Sequence, residues 1–363
     1  MPLIQPSSYR PPARLWNGHL QTIVPSLFRR VTVSYLRERI DTPDDDFLDL
    51  DWAHAFEQGA GGLGRGVDGD SGGNAEPGVN EIITTGGSLL PQAPRPKPPA
   101  QKPLAILSHG LEGDSSRPYV AGMVRHLTEH GFDCLAWNFR SCSGEMNRQL
   151  RFYHSGATED LDHVVQYAIE KGYTNISLIG YSLGGNLTLK YVGERGHDLP
   201  AEVKKAVAFS VPMDLAASSV MIDRGFSRVY LRRFLRHLQE KVVGKEKLFP
   251  EKISSKDYRR VRTFADFDDR YTAPLHGFRD AQDYYQQNSS IRFLRSIAIP
   301  TLIINAKNDP LLAPECYPED LARELPNVYM EFPEQGGHCG FPSSDPINGV
   351  YWSEQRALAF LTS

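Results

Sequence analysis

Ile176-Ser177-Leu178-Ile179-Gly180-Tyr181-Ser182-Leu183-Gly184-Gly185-Asn186 is the stretch whose reading decides the fold. A short apolar run ends at a glycine and a serine follows two residues later. A second glycine comes two residues after that, and Asn186–Glu194 then carries a helical pattern. Strand, Gly-x-Ser-x-Gly and helix in that order describe a nucleophile elbow, in which the serine sits on a tight strand-to-helix turn. Small residues at 180 and 184 let the chain pack closely around a strained backbone. The strain lifts the hydroxyl clear of the sheet, and the helix N-terminus behind it supplies partial positive charge.

Working outward, the same rhythm repeats. Apolar runs occur at Leu104–Ser108, Cys134–Phe139, Ala206–Val211 and Pro300–Asn305. Helical stretches at about 118–130, 157–171, 184–195 and 318–324 separate most of them. Short, continuously apolar strands alternating with helices predict a mostly parallel sheet flanked by helices. Residues 213–295 interrupt the rhythm with a mostly helical stretch, read as a cap. Its segment 226–241 is amphipathic, with Phe226, Tyr230 and Phe234 among arginines. A solvated cap helix is the first reading and a membrane-surface helix the second.

A serine hydroxyl needs a base and a group to orient that base. In this architecture the chain order is serine, acid, histidine. Asp309 follows the run Pro300–Asn305, and His338 follows the strand-like Val328–Phe332 behind two glycines. Asp268 and Asp269 are rival acids, but they lie in the cap stretch. His109, His154 and His276 are rival bases outside the expected order. Two backbone N–H groups must hold the oxyanion of an acyl-transfer intermediate. Leu183, directly after the serine, is one expected donor. Leu111, in the loop His109-Gly110-Leu111-Glu112-Gly113, is the other.

Composition narrows the alternatives. The 363 residues carry 40 Lys+Arg against 44 Asp+Glu, a net charge of −4 that argues against nucleic acid held by bulk charge. Hydrophobic residues at 40% allow a sizeable core. Cys134, Cys142, Cys316 and Cys339 form no CxxC pair, so neither a disulfide framework nor a thiolate metal site is expected. No signal-like N-terminus or membrane-length apolar run is present, which predicts a cytoplasmic chain without a stable span, peripheral lipid contact aside. Gly61–Gly73 lacks the strand and helix of a dinucleotide site, no Walker motif occurs, and no cofactor is expected.

Two stretches stand apart. Asp44, Asp45, Asp46, Asp49 and Asp51 lack the glycine and terminal glutamate of a calcium loop. They read instead as a hairpin turn with Asp49 and Asp51 on a solvated strand face. Residues 59–103 hold 11 glycines and 7 prolines, an insert passing from flexible to stiff. A strand at Glu81–Thr85 and a Pro-rich docking stretch are its secondary readings.

Taken together, these runs resemble the α/β-hydrolase superfamily, and more narrowly its YheT-like branch, AB hydrolase family 4. Asn17-Gly18-His19-Leu20-Gln21-Thr22 resembles that branch's N-x-H-x-Q-T signature. His109 to Gly113 resembles its H-G-L-E-G. Phe139–Gly144, Tyr153–Gly156 and Phe267-Asp268-Asp269 resemble its loop and cap signatures. Asn308-Asp309-Pro310 and Gly337–Phe341 resemble its acid and histidine blocks. The resemblance implies hydrolysis of small-molecule carboxylic esters, often short- to medium-chain, without metal or cofactor. Alcohol acyltransferases and glycerolipid lipases are relatives using the same triad, and a non-catalytic binding protein is the reading from another class. Because the proposed triad draws on strands from both sides of the insert and the cap, residues 1–363 read as one domain.

Overall fold

The computed structural model describes residues 3–55 and 102–363. The secondary readings within the insert lie outside the described residues. Among the described residues, nine strands form one sheet: β1 (Leu3–Ile4), β2 (Leu36–Asp41), β3 (Phe47–Ala53), β4 (Leu104–Ser108), β5 (Asp133–Asn138), β6 (Ile176–Tyr181), β7 (Val203–Phe209), β8 (Thr301–Ile304) and β9 (Val328–Glu331). Their spatial order is β1-β9-β8-β7-β6-β4-β5-β3-β2. Every pairing is parallel except the hairpin edge, where β3 runs antiparallel to both β2 and β5.

The expected strands form because their residues have two apolar faces to fill. Leu104, Ile106, Leu135 and Leu178 enter the core on one face. Ala105, Leu107, Ala136 and Ile179 enter the core on the other. This period-two division is what a parallel sheet covered on both sides requires. The covering helices are α1 (Gly18–Phe28), α2 (Pro118–Glu129), α3 (Thr158–Glu170), α4 (Leu183–Arg195), α5 (Leu215–Ile222), α6 (Arg228–Leu248), α7 (Phe264–Phe267), α8 (Ala273–His276), α9 (Ala281–Asn288), α10 (Glu319–Glu324) and α11 (Trp352–Thr362). Helices α5 to α9 make up the expected helical excursion. Helix α6 buries Leu231, Leu235, Leu238 and Val242 at helical spacing.

The sheet edges add one strand and correct one expectation. The N-terminal segment before α1, a leader, adds strand β1 beside β9. The face of β3 read as solvated is buried: Asp49 is 2% and Asp51 1% exposed. Arg39 holds Asp49 at 2.7 Å, and Arg37 holds Asp51 at 2.8 Å. Asp46 is likewise buried and, with Asp160, clamps the buried Arg140 at 2.7 Å from each. Burial alone would raise the Asp46 pKa. Hydrogen bonds from Asn147, the Arg148 N–H and Arg140 outweigh it and hold the carboxyl below its usual range. A lowered folded-state pKa means this contribution is present at neutral pH and is lost as pH falls through the acid range.

Removing one partner from such a cluster strands the remaining charges away from water. Arg140→Ala should therefore cost about 3–5 kcal/mol, read as a lowered urea midpoint at pH 7. The same substitution should cost less at pH 4 than at pH 7.

Candidate active site

The elbow is built from backbone. Strand β6 pairs Gly180 with Ser108 on one side and Ala208 on the other, so its C-terminal end lies mid-sheet. Ser182 then adopts φ 53°, ψ −117° before α4 begins. That is a left-handed conformation rare for a residue with a side chain. The turn closes only because its flanks are glycines. A Cβ at Gly184 would lie 2.4 Å from the carbonyl oxygens of both Ser108 and His109, and one at Gly180 would lie 2.4 Å from the Gly184 carbonyl oxygen. Backbone cannot yield as a flexible side chain can. Gly184→Ala should therefore destabilise the fold by at least ~3 kcal/mol, measured as a fall in the thermal midpoint.

The structure brings the three expected side chains together. His338 Nε2 lies 2.9 Å from Ser182 Oγ. His338 Nδ1 lies 2.8 Å from Asp309 Oδ2 and 3.1 Å from Oδ1. The Asp309 side chain is fully buried, and Oδ1 also accepts the Leu311 N–H at 2.9 Å. Burial works against an imidazolium at His338. The charge and hydrogen bond of Asp309 outweigh it, and the His338 pKa stands well above its ordinary value.

The Leu111 loop lies beside the serine. A Cβ at Gly110 would stand 3.3 Å from Ser182 Cβ. Tyr119 Oη accepts the Gly110 N–H at 3.0 Å, and Tyr153 Oη accepts the Glu112 N–H at 2.9 Å. Among the described residues, no acceptor takes the Leu111 or Leu183 N–H. The loop's neighbouring N–H groups are thus tied down while these two stay free.

The rivals have other work. His109 is buried, which lowers its pKa to about 4 and keeps it neutral. Its Nε2 accepts the Phe139 N–H at 3.1 Å, so Nδ1 carries the proton and donates to the Gly110 carbonyl at 2.7 Å. It latches the loop. His154 and His276 pack against each other with ring centroids 4.4 Å apart, and burial lowers both pKa values. Asp268 accepts from Thr272 and from Tyr285 Oη at 2.6 Å, and burial raises its pKa to about 6. Asp269 accepts the Ala281 N–H at 2.6 Å. Neither acid bonds His338.

Two cavities meet at Ser182 and His338. One is lined mainly by apolar side chains, among them Phe152, Leu215, Ile222, Phe234, Leu238 and Phe267. The other lies towards α1 and the N-terminal half of α6 and takes in Ile23, Leu27, Tyr119, Val229 and Tyr230. Phe234 lines both cavities, whereas Phe226 is half-exposed and packs on His19. Among the described residues, no group of three or more His, Cys, Asp or Glu side chains is disposed to hold a metal ion.

One set of contacts escaped the reading of single motifs. The histidine loop is fastened by the leader. Thr22 Oγ1 accepts the His338 N–H at 2.9 Å. Gln21 Oε1 accepts the Gly336 N–H at 2.7 Å and the Asn308 side-chain N–H at 3.0 Å. Asn308 Oδ1 accepts the Gly337 N–H at 3.1 Å. Helix α1 thus ties the acid loop to the histidine loop from more than 280 positions away. The only signal in the sequence was the Gln21-Thr22 pair within the leader signature.

Comparison with known proteins gives the family. A family profile for the alpha/beta hydrolase fold matches residues 103–345. The chain belongs to the α/β hydrolases. The protein is 35% identical to the Escherichia coli protein YheT, which carries an esterase name, over 96% of this chain and 91% of that one. That likeness puts it in the YheT-like branch. It is 28% identical to the mouse (Mus musculus) phospholipase ABHD3, over 92% of this chain and 73% of the relative. Among solved structures, a Pyrococcus furiosus esterase shares the fold at a TM-score of 0.53 and 16% identity, covering 92% of this chain and 95% of its own. Among the described residues of this α/β hydrolase, no helix is long and apolar enough to cross a membrane.

Proposed function

We propose that the protein is a serine hydrolase that cleaves small-molecule carboxylic esters through an acyl-enzyme on Ser182. The observation that carries this reading is the line of hydrogen bonds from Ser182 through His338 to Asp309, at the meeting of two cavities. The esterase and phospholipase names of its relatives support it.

In this mechanism His338 Nε2 takes the Ser182 proton as Oγ attacks the ester carbonyl. Asp309 holds the proton on Nδ1 and stabilises the imidazolium. The free N–H groups of Leu111 and Leu183 receive the oxyanion, each contributing about 3–4 kcal/mol to the transition state. His338 then protonates the departing alcohol. Water, deprotonated by the same nitrogen, cleaves the acyl-enzyme and restores the hydroxyl.

Residues 213–295 act as a cap on a single catalytic domain, and the apolar cavity beneath them receives a short- to medium-chain acyl group. Four free cysteines are in keeping with a reducing, cytoplasmic setting. A fluorophosphonate probe tests the reading. It should label the intact chain at Ser182 and abolish p-nitrophenyl ester turnover in proportion. Full turnover after complete labelling, or labelling elsewhere, would overturn the assignment.

A further inference from the structure

The second cavity differs from the first in charge. Its ionisable lining includes Arg29, Glu112, Arg117, Arg233 and His237. Two of these are neutralised by partners. Arg29 pairs with Glu354 at 2.6 Å, and Glu112 pairs with Lys241 at 3.0 Å.

The remaining arginines are less fully answered. Arg117 donates to the Glu112 carbonyl at 2.7 Å and makes a long, half-exposed ion pair with Asp114 at 3.7 Å. Arg233 has no ion pair or hydrogen bond among the described residues. Arg233 is exposed on α6, and desolvation along the cavity wall together with the charges of Arg117 and Arg236 lowers its pKa. Two cations therefore share one cavity that ends at Ser182 and His338, and among the described residues only Arg117 has an acid partner. An arrangement that repels itself when empty favours a bound anion. Arginine's planar fork suits carboxylate and phosphate alike.

The partition of substrate follows from the other cavity. Its apolar lining suits an alkyl chain. With the ester carbonyl at Ser182, the alcohol portion is left to the cavity that holds the arginines. We propose that Arg117 and Arg233 form a subsite for an anionic group, a carboxylate or a phosphate, carried on the alcohol portion of the ester. This rests on the serine-hydrolase reading given above.

The test compares matched octanoate esters on the intact chain. One pair is the ester of glycerol 3-phosphate against that of glycerol. The other is the ester of 4-hydroxybenzoate against that of 4-hydroxybenzamide. The wild type should favour the anionic member in kcat/KM. Arg233→Gln and Arg117→Gln should each reduce that preference about tenfold, as loss of one charge-assisted contact does. Arg233→Lys should recover part of it. A preference confined to the phosphate pair assigns phosphate, and one in both pairs assigns an anion generally. Equal turnover of charged and neutral members by the wild type would overturn the subsite. So would a preference left unchanged by Arg233→Gln. Either result leaves the serine assignment standing, because that assignment is read separately, from probe labelling at Ser182 and from turnover of the neutral esters by Ser182→Ala.

Discussion

Ser182→Ala should lower kcat on a p-nitrophenyl ester by roughly 10⁶-fold, the scale on which serine hydrolases lose rate when the nucleophile is removed. The loss should appear in kcat rather than KM, because the cavities on either side of the serine are left intact. Residual rate should stay above that in buffer by ~10³–10⁴-fold, since the Leu111 and Leu183 N–H groups and the apolar cavity remain. Folding should be undisturbed. The alanine keeps the backbone at φ 53°, and among the described residues Ser182 Oγ makes one hydrogen bond, to His338. Equal thermal midpoints beside the lost rate would separate chemistry from stability. Retained turnover in a clean preparation would remove Ser182 from the mechanism.

Asp309→Asn is the second large effect. An asparagine amide placed against His338 Nδ1 can donate a hydrogen bond, which favours the tautomer with its proton on Nε2, facing the serine. That ring cannot accept the serine proton, and kcat should fall about 10⁴-fold. The pH profile should move as well. Asp309 favours the imidazolium and so raises the His338 pKa. In the wild type, activity should fall as pH drops through a value above that of free imidazole, where the base becomes protonated. Without the carboxylate the imidazolium loses its partner, so the acid limb should shift to lower pH. A plateau that fell with no movement of the limb would mean that Asp309 only fills space.

Much of the candidate site was legible because its signals are local. A turn that forces Ser182 to positive φ between close-packed strands needs small residues at 180 and 184, and those glycines stand in the sequence. Strands covered on both faces are apolar over most of their length, which makes Leu104–Ser108 and Ile176–Ile179 stand out from the amphipathic helices. Asp309 and His338 were identified by chain order and by their place after strands. The β3 face was misread for an equally local reason. Alternation of Leu and Asp says which residues share a side, and the usual partner of an aspartate face is water. Here the partners are Arg37 and Arg39 on the neighbouring strand, together with Ser115 and Asn138 from elements much further along the chain.

By itself the sequence determined the element types, the parallel core of the sheet, the position of the elbow and the identity of the residues that meet there. Each of these depends on backbone conformation or burial over a few neighbouring positions. Only the tertiary structure decided that the leader fastens the acid and histidine loops, that His109 latches the loop holding Leu111, and that two arginines 116 positions apart line one cavity with Ser182. Those contacts join elements whose spacing along the chain carries no periodicity. They exist only once helices and sheet have packed and excluded water between them.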